Sequence, residues 1–151
     1  IDHQPCTGIA SRLTVFLLDT NVISELRQGK PMQNAQVLAW AQQQIFEQFF
    51  ISAITLLELE KGVQALEHKH PPQGQALRRW LDGVTDIFGG RTLAFSASMA
   101  KRCAGLHFPH TISERDAMIA ATALEHHFTV VTRNIKDFQT TGAKLLNPWE
   151  S

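Results

Sequence analysis

The stretch "TVFLLDTNVISEL", residues 14–26, decides how the rest of the chain is read. Residues 14–18 are mostly apolar and read as a buried strand. They run straight into Asp19, then a Thr-Asn pair, then a helix-like pattern over about 21–27. A carboxylate at the end of a buried strand is costly unless something stabilises its charge. The question is what Asp19 is for.

The same grammar of short apolar run followed by helix recurs along the chain. "FFISAI" (49–54) predicts the second strand, "GGRTLAF" (89–95) a turn at 89–90 and a third strand near 91–95, "FTVVT" (128–132) a fourth, and "KLLNP" (144–148) a short fifth. Between them the spacing predicts helices over 33–48, 55–68, 73–83, 96–106 and 113–127, with "KHPPQG" (69–74) as a loop. Strands alternating with helices predict a parallel sheet in an α/β fold with helices on both faces. At 151 residues with 44% hydrophobic content, the chain is long enough for one domain with a real core. Residues 13–151 are assigned to that domain. Residues 1–12, "IDHQPCTGIASR", lack periodicity and are expected to be a tag remnant or upstream extension, disordered or peripheral.

Lys plus Arg and Asp plus Glu balance at 14 each, so net charge points to no polyanionic partner. A nucleic acid enzyme with this balance needs its basic residues placed locally. Two cysteines, Cys6 and Cys103, form neither a CxxC pair nor a disulfide framework, and a cytoplasmic location is expected. No run approaches a membrane span or a secretory signal, so no membrane partner is expected.

In a parallel α/β sheet the carboxyl ends of the strands share one edge, where ligands bind. Asp19 ends the first strand. Glu58 falls in the first turn after the second strand, and Asp116 in the first turn of the helix before "FTVVT". Asn134 and Asp137 follow that strand in "TRNIKDF". Topology thus gathers distant acids on one rim. Structural roles compete with this reading. "TLLE" (55–58) and "SERD" (113–116) have capping-box form, Asp19 fits a helix N-cap, and Asp137 fits a turn. Taken jointly, the acids weigh against capping alone. Two unit charges about 4 Å apart repel by roughly 4 kcal/mol at an effective dielectric near 20, so such a set must protonate or bind cations. An all-oxygen site suits Mg²⁺ or Mn²⁺.

The stretches "LLDTNVISEL" (17–26), "ISAITLLELEKGV" (51–63), "RDAMIAATALEHHFTVVTRNIKDF" (115–138) and "LLNPW" (145–149) resemble the PIN-domain ribonucleases. The resemblance is to the VapC-like toxins of type II toxin–antitoxin systems, in the FitB-like subgroup. It implies a three-layer α/β/α sandwich around a parallel sheet of four or five strands. It implies divalent-metal-dependent endoribonuclease activity, with Asp19, Glu58 and Asp116 holding one or two Mg²⁺ or Mn²⁺ ions. Asn134 and Asp137 both compete for the fourth family position, and the sequence leaves that choice open. Thr20, Asn21 and Thr132 are candidates for orienting water, phosphate or a carboxylate. Arg133, Lys136, Arg27, Lys30 and Arg115 are candidates for RNA contact. The implied partners are RNA, an antitoxin with a DNA-binding module, and a second copy in a homodimer within a larger assembly. Phe46, Phe49 and Phe50, read as more apolar surface than one core needs, give the dimer modest support.

Two other function classes are weighed. A catalytically silent PIN-like protein would act only in an antitoxin/operator-DNA repressor complex; the intact set of three acids argues against it. A phosphatase-like hydrolase with an aspartyl nucleophile would want a second aspartate two residues after Asp19, where Asn21 stands. Histidines occur in "HKH" (68–70), "HFPH" (107–110) and "HH" (126–127), none paired with a second ligand cluster at a zinc spacing. Cys103 reads as small buried filler.

Overall fold

Phe16, Leu17 and Leu18 form the first strand, β1, and all three are buried. A strand covered on both faces belongs inside a parallel sheet. The computed structural model describes residues 13–150, so the expectations for residues 1–12, Cys6 among them, lie outside the described residues. Four further strands follow: β2 (Phe49–Ser52), β3 (Thr92–Leu93), β4 (Thr129–Val131) and β5 (Lys144–Leu146). The sheet order is β3-β2-β1-β4-β5 and every pairing is parallel. Phe16 pairs with Phe49 on one side and Thr129 on the other. The expected parallel sheet is therefore present, with five strands.

The helices are α1 (Thr20–Glu25), α2 (Ala35–Gln42), α3 (Ala53–Lys69), α4 (Pro71–Ile87), α5 (Ala97–Gly105), α6 (Glu114–His126) and α7 (Ile135–Phe138). Strand alternation sorts them into two layers. Phe16, Leu18, Ile51 and Val131 pack with Val22, Trp40, Leu59 and Leu81 from α1–α4. Leu17 and Val130 point the other way, onto Ile119, Ala120 and Ala123 of α6 and Phe138 of α7. This is the expected α/β/α sandwich. The alanines of α6 let that helix lie close on the sheet.

Several boundaries differ from the sequence reading. The second strand stops at Ser52, whose side chain caps α3 by accepting from the Thr55 N–H at 3.1 Å. Residues 33–48 give an eight-residue helix, then a 3₁₀ turn at Phe46–Gln48. The predicted loop at 69–74 is the start of α4, because Pro71 sits at N1, where the missing N–H costs nothing. α3 and α4 so form a tight antiparallel pair, clasped by Arg78 on Glu60 and Glu67. Gly74 makes that turn possible: a Cβ there would lie 2.5 Å from the Glu67 Cα. Phe49 is buried in the core, and Phe50, on the same strand, rests on Phe128. Of the three phenylalanines read as surplus, only Phe46 is exposed, which withdraws most of the support they lent to a dimer. No helix of the described residues is long and apolar enough to cross a membrane.

Candidate metal centre

The chain runs outward from β1 in both directions across the sheet, so the strand order reverses at the β1–β4 boundary. Open parallel sheets bind ligands at such a switch point, outside the carboxyl ends of the strands. Asp19 and Thr132 are the first residues beyond β1 and β4, and they meet there. The Asp19 N–H donates to the Val131 carbonyl at 2.9 Å, and the Thr132 hydroxyl donates to Asp19 Oδ2 at 2.7 Å. Asp19 Oδ1 accepts from the Thr20 N–H at 2.7 Å, so the residue also caps α1. Its side chain is completely buried. Asp19 therefore caps α1, as the structural reading expects, and its carboxylate lies at the switch point between β1 and β4.

Glu58 reaches the same place from α3. Because that helix begins at Ala53, Glu58 is in its second turn, and the capping-box reading of "TLLE" fails. Its Oε1 accepts from the Thr20 hydroxyl at 2.5 Å. Asp116 comes from the first turn of α6. Ser113 caps that helix by accepting the Asp116 N–H at 3.1 Å. The Asp116 carboxylate, however, faces away from the cap and toward Asp19 and Glu58, joined to them through Arg115.

Arg115 is the residue that completes the cluster. Its Nε donates to Glu58 Oε2 at 2.5 Å, its Nη1 to Asp116 Oδ1 at 2.6 Å, and its Nη2 to Asp19 Oδ1. One planar fork thus satisfies three carboxylates from three elements, a geometry only guanidinium offers. The repulsion expected among the acids is relieved by a cation from within the chain. Among the described residues, oxygens of Asp19, Glu58 and Asp116 do not all come within 4.8 Å of one another, with the guanidinium between them. Arg115 was expected to face RNA; here its donors are engaged in the acid pocket. Nothing in the residue order gave that direction, since Arg115 and Asp116 are neighbours that point together only because the pocket attracts both.

These contacts set the titration of Glu58. Burial pushes its carboxyl up, but hydrogen bonds from Arg115 and Thr20 and the Arg115 charge outweigh this and hold it below the usual range. The unfolded chain then binds more protons in acid, so stability rises with pH in that region. The contribution is complete above the ordinary value of 4.5 and is lost as pH falls through the lowered folded value. Denaturant titrations of the native chain and Glu58→Gln should show a stability gap at neutral pH that narrows on acidification. A gap of constant size would refute this role for Glu58.

The residues around the cluster match a known architecture. The model of the PIN domain matches residues 16–144. The VapC ribonuclease Y4jK of Sinorhizobium fredii is 37% identical over 145 residues, covering 90% of this chain and 99% of that protein. The toxin FitB of Neisseria gonorrhoeae is 36% identical over 140 residues, covering 89% and 99%. The crystal structure of FitAcB from Neisseria gonorrhoeae superposes with a TM-score of 0.82 at 35% identity, covering 91% of this chain and 100% of the other.

The chain belongs to the PIN-domain family. It is a VapC-like member, as the ordered motifs imply.

The remaining site candidates of this PIN domain fall into two flanks. On one side, Arg27 and Lys30 line a cavity of about 340 Å³ together with Thr20, Glu58 and Trp80. Lys30 is tied there by Glu25 at 3.3 Å. On the other side, Arg133, Asn134, Lys136 and Asp137 line a cavity of about 470 Å³ with Asn147. Arg133 lies over the Trp149 ring, 5.2 Å from its centroid. Asn21 accepts from the Arg133 N–H at 3.3 Å and so braces this turn, not a carboxylate. The Asn134 N–H donates to the Thr132 hydroxyl at 3.0 Å, which links it to Asp19 through one intermediary. Asn134 and Asp137 are both exposed, at the start of α7. Neither has joined the three carboxylates on Arg115.

The sequence reading missed one grouping. Cys103, His107 and Glu114 come together at the α5–α6 junction. The available signal was the four-residue spacing of Cys103 and His107, which puts both on one side of a helix end.

Proposed function

We propose that this PIN domain is the toxin of a toxin–antitoxin pair and a divalent-metal-dependent endoribonuclease. The observation that carries this reading is a cation already bridging three carboxylates at the switch point of the sheet. The donor set fits a hard ion: Asp19, Glu58 and Asp116 offer oxygen only, with the Thr20 and Thr132 hydroxyls beside them. These three acids would hold Mg²⁺ or Mn²⁺, as one ion or two. A divalent ion bound there acidifies water and neutralises charge on a phosphate undergoing attack.

The chain's own residues have distinct tasks. Thr132 and the Thr20 N–H fix the rotamer of Asp19, and the Thr20 hydroxyl fixes Glu58, so the pocket is pre-shaped. Arg115 uses the same oxygens that an ion would need, so loading requires it to release at least some of them. Once released, its guanidinium is next to the reaction centre and suited to an RNA phosphate. Arg27 and Lys30 on one flank and Arg133 and Lys136 on the other supply the local positive charge that net composition does not. No side chain needs to act as a covalent nucleophile. The products should carry 5′-phosphate and 3′-hydroxyl ends.

The likeness to a relative named as a toxin supports an antitoxin partner; a DNA-binding module on that partner, and a homodimer inside the larger assembly, belong to the same proposal. An apolar cavity of about 240 Å³, lined by Ile23, Leu26, Phe46, Trp80 and Ile87, adjoins the Arg27 flank through the shared Trp80 and supports such docking.

The decisive experiment incubates purified protein with total RNA and Mg²⁺ or Mn²⁺, with and without chelator, and maps the ends. Internal cleavage that disappears with chelator and leaves 5′-phosphates is expected. Intact RNA at every ion concentration, from folded and antitoxin-free protein, would remove the enzymatic reading.

A further inference from the structure

Away from the acid cluster, three ligand-type side chains of different chemistry meet between α5 and α6. Cys103 is in the last turn of α5, His107 lies two residues beyond it, and Glu114 is the first residue of α6. One ligand atom from each lies within 4.8 Å of the others. His107 Nε2 stands 3.7 Å from Glu114 Oε1. Cys103 is buried against Met99, Ile112, Ala117 and Ala121, which fixes the sulfur in place. The other two side chains are free to adjust: His107 is partly exposed and Glu114 largely so. They border an open cavity of about 410 Å³ that Cys103 also lines, beside Phe95 and Met118.

We propose that Cys103, His107 and Glu114 form a second metal site, selective for a thiophilic divalent ion such as Zn²⁺. Sulfur, imidazole and carboxylate together are a borderline-soft donor set, which Mg²⁺ does not favour and Zn²⁺ does. Three protein ligands leave one tetrahedral position for water. Tetrahedral bonds of about 2.0–2.3 Å put ligand atoms roughly 3.3–3.8 Å apart; His107 and Glu114 already stand at 3.7 Å, and no pair of the three exceeds 4.8 Å. The remaining closure is within reach of His107 and Glu114 rotation while Cys103 stays fixed. Sulfur ligates as the thiolate, so the Cys103 proton is released to solvent as the ion binds. The ion would staple the end of α5 to the start of α6 and close the 106–113 segment into a loop. This site is separate from the carboxylate centre and does not depend on the nuclease reading.

Co²⁺ is the probe, because thiolate ligation gives a near-ultraviolet charge-transfer band that oxygen ligands cannot. The full chain carrying Cys6→Ser is stripped of metal, supplied with excess Mg²⁺ to occupy the carboxylate centre, and titrated with Co²⁺. The expected result is a thiolate-to-cobalt band with tetrahedral visible bands, saturating at a single equivalent and bleached by Zn²⁺. Cys103→Ser should remove the ultraviolet band. His107→Ala, at a partly exposed position and with its fold checked by circular dichroism, should weaken Co²⁺ binding by at least about tenfold. No band in the Cys6→Ser protein, a band that survives Cys103→Ser, or unchanged affinity in His107→Ala would each overturn the proposal. RNA cleavage is not part of the readout, so its loss or presence leaves this test unaffected.

Discussion

Replacing Arg115 by alanine should make the protein bind divalent ions about 10- to 100-fold more tightly, while leaving the ion-free protein less stable. Both effects have one cause. The guanidinium donates to Asp19, Glu58 and Asp116 at once, and it uses oxygens that an ion also needs. An entering ion must therefore displace it, and removing it removes that competition. The predicted gain in affinity corresponds to about 1.4–2.8 kcal/mol. Without ion, the three carboxylates are left to repel each other, and Asp19 is fully buried. The loss of charge-assisted hydrogen bonds should cost roughly 2–3 kcal/mol. Calorimetric titration with Mn²⁺ and thermal melts in chelator measure the two sides separately. Saturating Mn²⁺ should restore most of the lost stability. Arg115→Lys should fall between the two proteins, because ammonium keeps the charge but cannot fork across three acids. Ion affinity that is unchanged in a folded Arg115→Ala protein would show that Arg115 does not compete for the site.

Asp116→Asn should reduce metal-dependent RNA cleavage by about 1,000-fold or more, equivalent to about 4 kcal/mol of transition-state stabilisation. Asp116 is the cleanest of the three acids to test. Its carboxylate contacts Arg115, while the cap of α6 is made through the Asp116 backbone N–H and Ser113. Asparagine keeps the volume and that cap, so the fold should persist. Asp19→Asn would be harder to read, because the same side chain caps α1 and accepts from Thr132. Rates at saturating Mg²⁺, with circular dichroism as control, measure the effect. Wild-type cleavage by Asp116→Asn would take Asp116 out of the mechanism.

The residues that build this site were legible to different degrees, for physical reasons. Strand β1 and Asp19 were plain, because a carboxylate that ends a short buried run has to cap a helix, pair with a cation or bind an ion. Convergence of residues 19, 58 and 116 followed from parallel topology alone, since all parallel strands end on one edge. The capping alternatives turn on where α3 begins: Ser52, not Thr55, caps it, which moves Glu58 into the second turn. The Pro-Pro pair at 71–72 was misread as a loop because proline breaks a helix interior yet suits its first turn. Cys103 was legible as small buried filler, and it is buried in the core; that His107 and Glu114 meet it was not, because they arrive from beyond the helix end.

By itself the sequence determined the alternation of strand and helix, the sandwich that follows from it, and which acids share the sheet edge. Those depend on local pattern and on chain connectivity. Only the tertiary structure decided where Arg115 points. Its three acceptors are 1, 57 and 96 residues away in the chain. A long flexible cation settles in the strongest local field, and that field exists only after folding has brought the three carboxylates to one place.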